Sequence, residues 1–202
     1  MIVVFGSINL DLIFPLPHIP APGETVLGPT TRIEPGGKGA NQAVAAARDG
    51  ARVIMAGAVG RDALATDALR LLRDANVDLS RVAEADAATG CAAIAVDPQG
   101  RNAIAVGSGA NLFACASQIE DALLTPETTL LLRMEVPADQ TVALIRRARA
   151  RGARTVLNLA PALPIDALRE VDILVVNETE AEWLQSAKSM KKLELKVRLL
   201  GS

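Results

Sequence analysis

With 202 residues, half of them hydrophobic, the chain can bury a sizeable core as one domain with a small appendage. A net charge of −2, a 2% aromatic share without tyrosine and no basic stripe before residue 188 exclude a stacking or electrostatic platform for nucleic acid. No apolar run approaches a membrane span, and the N-terminus carries no basic leader, so neither a membrane protein nor a signal peptide is expected and a cytoplasmic location is.

In chain order, strands are expected at 2–5, 8–14, 24–34, 53–58, 90–96, 102–107, 129–134, 154–159 and 172–176. Helices are expected at 40–49, 62–75, 115–124, 138–151, 164–170 and 178–185. Asp62 is placed as an N-cap, Pro137 as a helix opener and Gly152 as a helix stop. The later half alternates strand and helix, which implies a parallel sheet covered by helices on both sides. Residues 8–34 and 90–107 depart from this and read as consecutive strands, the second pair joined by the turn Pro98-Gln99-Gly100-Arg101.

The first strand leads into Asn9 and Asp11, two residues apart and therefore on one face of a strand. An amide beside a carboxylate both donates and accepts, which suits a ligand with neighbouring hydroxyls; the same pair also fits the wet face of a half-covered strand. Next comes Gly36-Gly37-Lys38-Gly39-Ala40-Asn41-Gln42, a glycine loop running into the alanine-rich stretch from Ala43 to Ala47. Such a loop turns tightly and presents free N–H groups at a helix N-terminus to an oxygen-rich ligand. Lys38 is the only lysine in the first 187 residues, against fifteen arginines. A compact ammonium there does not substitute for a guanidinium fork. The loop is no Walker motif, because Gly39 stands where a hydroxyl residue is required, and no dinucleotide fingerprint occurs in the chain. Cys91 and Cys115 lack metal-ligand spacing and read as reduced thiols. His18 is the sole histidine, which removes Ser-His and Cys-His mechanisms.

Taken together, Gly6-Ser7-Ile8-Asn9-Leu10-Asp11, Pro22-Gly23-Glu24-Thr25 and Gly36-Gly37-Lys38-Gly39-Ala40-Asn41-Gln42-Ala43 resemble the N-terminal part of ribokinases, members of the ribokinase/PfkB family of sugar and nucleoside kinases. The likeness continues through Gly50, Gly57, Gly60, Arg61 and Asp62, then Met134-Glu135-Val136-Pro137, Asn158-Leu159-Ala160-Pro161-Ala162 and Asn177-Glu178-Thr179-Glu180-Ala181-Glu182. It implies an α/β, three-layer ribokinase-like fold, with a mostly parallel central sheet and a small β lid that also forms a homodimer contact. It further implies ATP-dependent phosphorylation of a sugar, with D-ribose first among the candidates, a need for Mg2+, and K+ as a candidate further ion. By the resemblance, Asn9, Asp11, Gly37, Lys38, Asn41 and Glu135 contact sugar hydroxyls. Asn177 and Glu180 form an N-x-x-E element beside the nucleotide phosphates and the magnesium hydration shell. The same pair also reads as a helix N-cap with its capping-box partner.

The family's Gly-Ala-Gly-Asp-type motif, with its catalytic aspartate and anion hole, has no match here, nor do its adenine pocket and K+ loop. The chain is therefore expected to be a C-terminally truncated ribokinase-like domain over residues 1–185, inactive by itself, followed by a lysine-rich tail over 186–202. Residues 188–202 hold five positive side chains and one negative, leaving −6 on the preceding 187. Their stretch 192–199 alternates charged and apolar residues, which fits a half-buried strand as well as a frayed basic terminus. The rival readings are a non-catalytic sugar-binding or dimerising module and a fragment without function.

Overall fold

The computed structural model describes residues 1–186. The chain runs β1 (Ile2–Phe5), β2 (Asn9–Pro15), β3 (Arg32–Gly36), α1 (Lys38–Arg48), β4 (Val53–Gly60), α2 (Ala63–Ala68), α3 (Arg70–Asp74) and β5 (Asp78–Ala85). It continues with β6 (Gly90–Val96), β7 (Asn102–Gly107), β8 (Thr129–Arg133), α4 (Ala138–Arg151), β9 (Arg154–Asn158), β10 (Ile173–Val175) and α5 (Glu178–Ser186). Six strands form a wholly parallel sheet in the order β10-β9-β8-β1-β4-β5. The other four form a separate sheet, β3-β2-β6-β7, in which only β2 and β6 are parallel.

Strand alternation sorts the apolar residues of the large sheet into two cores. Val3, Phe5, Ile54, Ala56, Leu130, Leu132 and Leu157 face Leu144, Ile145 and Ala148 of α4 and Leu184 of α5. Val4, Val53 and Met55 face Ala40, Ala43 and Val44 of α1 and the Ala68–Leu72 stretch of α2 and α3. Each fully buried Leu, Ile or Phe contributes about 1.5–3 kcal/mol of transfer free energy. Helices on both faces follow from parallel pairing, since each crossover needs a dozen or more residues. The expected three-layer architecture with a small second sheet is the one observed.

Strands β1, β6 and β7 and helix α4 occupy the expected residues, with Pro137 opening α4 and Gly152, at φ 76°, closing it. Asp62 caps α2 by accepting from the Ala65 N–H. Five expectations change. The strand expected at 24–34 shrinks to Arg32–Gly36, because Gly28 and Pro29 interrupt it and Leu27 stands 86% exposed without a partner. Strand β5 was not expected; it is an edge strand with a mixed polar pattern that pairs only with β4. The helix expected at 62–75 divides at Leu69 into α2 and α3. Residues 115–124 and 164–170 form short 3₁₀ turns instead of helices. In the first of these, tertiary contacts take over the backbone: Arg147 donates to the Ala116 and Ile119 carbonyls, and Gln118 donates to those of Gly57 and Arg81. The lysine-rich tail and its candidate strand at 192–199 lie outside the described residues.

Candidate functional site

In a doubly wound parallel sheet, the crevice opens at the carboxyl ends of the strands where the winding changes direction. Here that point lies between β1 and β8: from β1 the sheet grows through β4 and β5 on one side and through β8, β9 and β10 on the other. The chain leaves β1 at Gly6-Ser7-Ile8 to enter the small sheet, and it leaves β8 at Met134-Glu135. The glycine loop closes over the same spot, with Gly37 as the N-cap of α1 at φ 89°. A Cβ on Gly37 would stand 2.7 Å from the Asn9 nitrogen and the Ser7 oxygen, and one on Gly39 2.7 Å from Gly6 and Ser7 backbone atoms. Only glycine permits both the left-handed turn and this backbone-to-backbone contact.

Glu135 is the centre of the cluster. Its Oε1 lies 2.7 Å from Lys38 Nζ, and its Oε2 accepts from Ser7 Oγ at 2.5 Å and from the Lys38 backbone N–H at 3.4 Å. Burial by itself would push the Glu135 pKa up; the hydrogen bonds from Lys38 and Ser7, with the charges of Lys38 and Arg133, hold it below the ordinary glutamate value. Asp11 goes the other way. Half-buried, its carboxylate lies where a Gly36 side chain would stand. Its pKa is raised by that burial and by the negative charges of Glu135 and Glu34. Two carboxylates with opposite shifts in one crevice provide one firmly ionised acceptor and one acid whose charge is disfavoured.

Asn9 begins β2 on the same face as Asp11 and is 4% exposed. Its Oδ1 accepts from Asn111 Nδ2 at 2.7 Å, and Asn111 also exchanges hydrogen bonds with the Ile8 backbone. Gly90, paired with Asn9 in the register, leaves the space that this amide pair fills. Asn41 sits exposed on the first turn of α1, and no hydrogen bond reaches its side chain among the described residues. The structure thus brings Asn9, Asp11, Gly37, Lys38 and Glu135 together, while Asn41 stands exposed one helical turn after Gly37.

Asn177 and Glu180 lie apart, at the start of α5. The Asn177 N–H donates to Glu180 Oε2 and the Glu180 N–H to Asn177 Oδ1, both at 2.8 Å, a complete capping box. No hydrogen bond or ion pair joins them to the Glu135 cluster among the described residues. Among those residues, no three His, Cys, Asp or Glu side chains converge as a metal site. A groove of about 640 Å³ lies at the opposite, amino-terminal edge of the sheet, lined by Arg149, Arg154 and Arg169. It shares no residue with the crevice, and the convergence of polar groups, not the enclosed volume, marks the site.

Sequence reasoning passed over Ser7 and Asn111. Ser7 had a readable signal, a hydroxyl immediately after the first strand. Asn111 had none, because 102 residues separate it from Asn9.

The sequence profile of the pfkB family carbohydrate kinase matches residues 1–201. The chain is 36% identical over 188 residues to the ribokinase of Haemophilus influenzae, covering 91% of this chain and 61% of that protein. It is 35% identical over 189 residues to the deoxyribokinase of Salmonella typhi, covering 91% and 62%. The structure of Arabidopsis thaliana ribokinase complexed with ribose and ATP superposes with a TM-score of 0.77 at 30% identity, covering 89% of this chain and 60% of that one. The chain therefore spans about three-fifths of the length of the relatives it matches.

Proposed function

The chain belongs to the pfkB family of carbohydrate kinases, and we propose that it is the sugar-recognising part of an ATP-dependent kinase that converts D-ribose to ribose 5-phosphate. The observation that carries this is the Glu135 carboxylate, held by Lys38 and Ser7 opposite Asp11 and Asn9. In this reading Asn9, Asp11, Gly37, Lys38, Asn41 and Glu135 bond the sugar hydroxyls. The mixture of an ammonium, two carboxylates and an amide accepts and donates to a polyol without demanding that it be charged.

In the same reading Asn177 and Glu180 serve the nucleotide phosphates. One carboxylate oxygen of Glu180 is taken by the cap, so a magnesium ion there would be held through its own waters, as that ion prefers. When bound, the ion would neutralise charge on the donor's phosphates. No K+ ligand is assigned to this chain. Its 202 residues contain no Gly-Ala-Gly-Asp-type motif; in this reading that motif's general base, worth about 10²–10⁴ in rate, and its oxyanion donor, worth about 10²–10³, are not supplied by this chain. We propose that it binds sugar but does not turn it over, in the cytoplasm, as the domain spanning residues 1–185 with the small sheet as its lid.

A second reading, a dimerising sugar-binding module, is favoured by one surface. Beyond Asp11, the same face of the small sheet carries the register row Ile13, Ile94 and Ile104, with Val106 beside it. Ile104 and Val106 are 55% and 52% exposed. Apolar side chains in a row on a sheet suit a second copy of the chain.

The test is a thermal melt of the pure chain with and without millimolar ribose, reading ADP formation in the same samples. A ligand that binds only the folded state raises the midpoint. A ribose-dependent rise without ADP is expected. An unchanged midpoint would overturn sugar recognition, ribose-dependent ADP formation would overturn the inactivity, and a larger rise with 2-deoxyribose would reassign the pentose.

A further inference from the structure

We propose that Arg133 is an oxyanion-binding residue of the crevice, one that receives the terminal phosphate of a phosphoryl donor. Arg133 ends β8 and is only 3% exposed. It stands two residues before Glu135 and beside β1, whose exit is shaped around it: a Cβ on Gly6 would lie 3.1 Å from its Cγ and 3.4 Å from its Cβ. No hydrogen bond or ion pair reaches its side chain among the described residues, and its Nε is buried without any partner. Arg147 shows the contrast. That guanidinium, also partly buried, is satisfied by the Asp121 carboxylate and by the carbonyls of Ala116 and Ile119.

A buried charge without a partner is expensive, so its retention at this place calls for an anion. The carboxylates nearest in effect are already engaged. Glu135 and Glu180 both act electrostatically on Arg133, yet Glu135 is held by Lys38 and Ser7 and Glu180 by the Asn177 N–H. Arg133 therefore lies in the field of both the sugar cluster and the α5 cap, and its own donors are left over. A guanidinium offers several N–H groups in a planar fork that matches the oxygens of a phosphate, and burial strengthens each such bond. Its site at the carboxyl end of β8, at the point where the winding reverses, is where a parallel sheet receives its ligand. Naming the anion as a donor phosphate rests on the kinase reading; the binding of a phosphate oxyanion does not.

The test compares the 202-residue chain with R133M and R133K in magnesium-free melts, using inorganic pyrophosphate, ADP and ribose as separate probes. Pyrophosphate is expected to raise the midpoint of the wild-type chain, with an apparent affinity at least tenfold weaker in R133M and partly restored in R133K. The ribose response is expected to persist in all three and to change less than the pyrophosphate response, since Lys38 and Ser7 still hold Glu135 when the Arg133 charge is removed. Because methionine replaces an unpaired buried cation with an apolar chain of similar reach, the unliganded R133M should melt no lower than wild type. A stronger response to ADP than to pyrophosphate assigns the oxyanion to a nucleotide; an equal response assigns it to phosphate alone. An Arg133-dependent pyrophosphate response without any ribose response would sink the kinase reading and leave this assignment standing. No pyrophosphate response in wild type, an undiminished one in R133M, or an R133M chain that melts lower or fails to fold would each overturn the proposal, the last by showing that Arg133 holds the fold together.

Discussion

Strands β4 and β7 are written in similar residues and meet opposite fates. Val53–Gly60 is buried at all eight positions of β4, whereas Asn102–Gly107 is exposed at all six of β7, its Ile and Val included. The difference lies in the connections. Strands of the large sheet run parallel, so the chain must cross back between them, and the crossover segments supply the helices that cover both faces. The β6–β7 pair is antiparallel and needs only a tight turn at Asp97–Arg101, which brings no covering layer. Apolar composition alone therefore does not decide burial; the way neighbouring strands are joined does.

That contrast can be broken most directly by truncating one side chain in each sheet. Leu132→Ala in β8, fully buried, is expected to cost about 2–5 kcal/mol in chemical denaturation, and Ile104→Ala in β7 less than about 0.5 kcal/mol. Equal costs would mean that the small sheet is covered in solution. The seam between the sheets comes next. Gly39→Ala places a methyl against the Gly6 and Ser7 backbone, which is expected to cost about 1–3 kcal/mol and to abolish the ribose response. A smaller effect is expected of Asp62→Ala. Asp62 accepts from the Thr89 N–H and hydroxyl, both at 2.7 Å, and caps α2, so its loss should cost about 0.5–2 kcal/mol.

The hydrogen bonds from Thr89 hold Asp62 below the ordinary aspartate value. Its contribution is therefore present above about pH 3.9 and lost as pH falls through the lower folded value. The charge-dependent part of the Asp62→Ala deficit should accordingly disappear in acid, and a deficit that stays undiminished there would sink the assignment. The smallest effect is at Asp11, and its sign is reversed. Its folded pKa is raised, so the native state binds its proton more tightly. Stability falls as pH rises from the ordinary aspartate value through the raised one, and the cost persists at neutral pH. Asp11→Asn should then melt slightly higher than wild type at pH 7 while losing the ribose response. A variant that melts lower and still responds to ribose would separate Asp11 from the site.

Much of this was legible in the order of residues. Ile2–Phe5 and the helix from Pro137 to Gly152 carry their own boundaries, because an apolar run, a helix opener and a left-handed glycine act locally. Strand β5 was illegible for the converse reason: its half-exposed pattern, Asp78-Leu79-Ser80-Arg81, becomes a strand only through the free edge of β4. The loop residues of the site were readable because Gly36, Gly37 and Gly39 have few other uses at such spacing. Ser7 was within reach, whereas Asn111 and the isolation of Arg133 were not.

The sequence by itself determined the family, the alternation of strand and helix and the types of residue at the site, since period, caps and glycine spacing act over a few residues. Only the tertiary structure decided that Glu135 is held between Lys38 and Ser7, that Asn9 is locked by Asn111, that Asp11 and Glu135 shift in opposite directions, and that the Arg133 side chain meets no partner among the described residues. Each of these depends on which groups are excluded from water together, and that follows from strand order and register across a hundred residues or more.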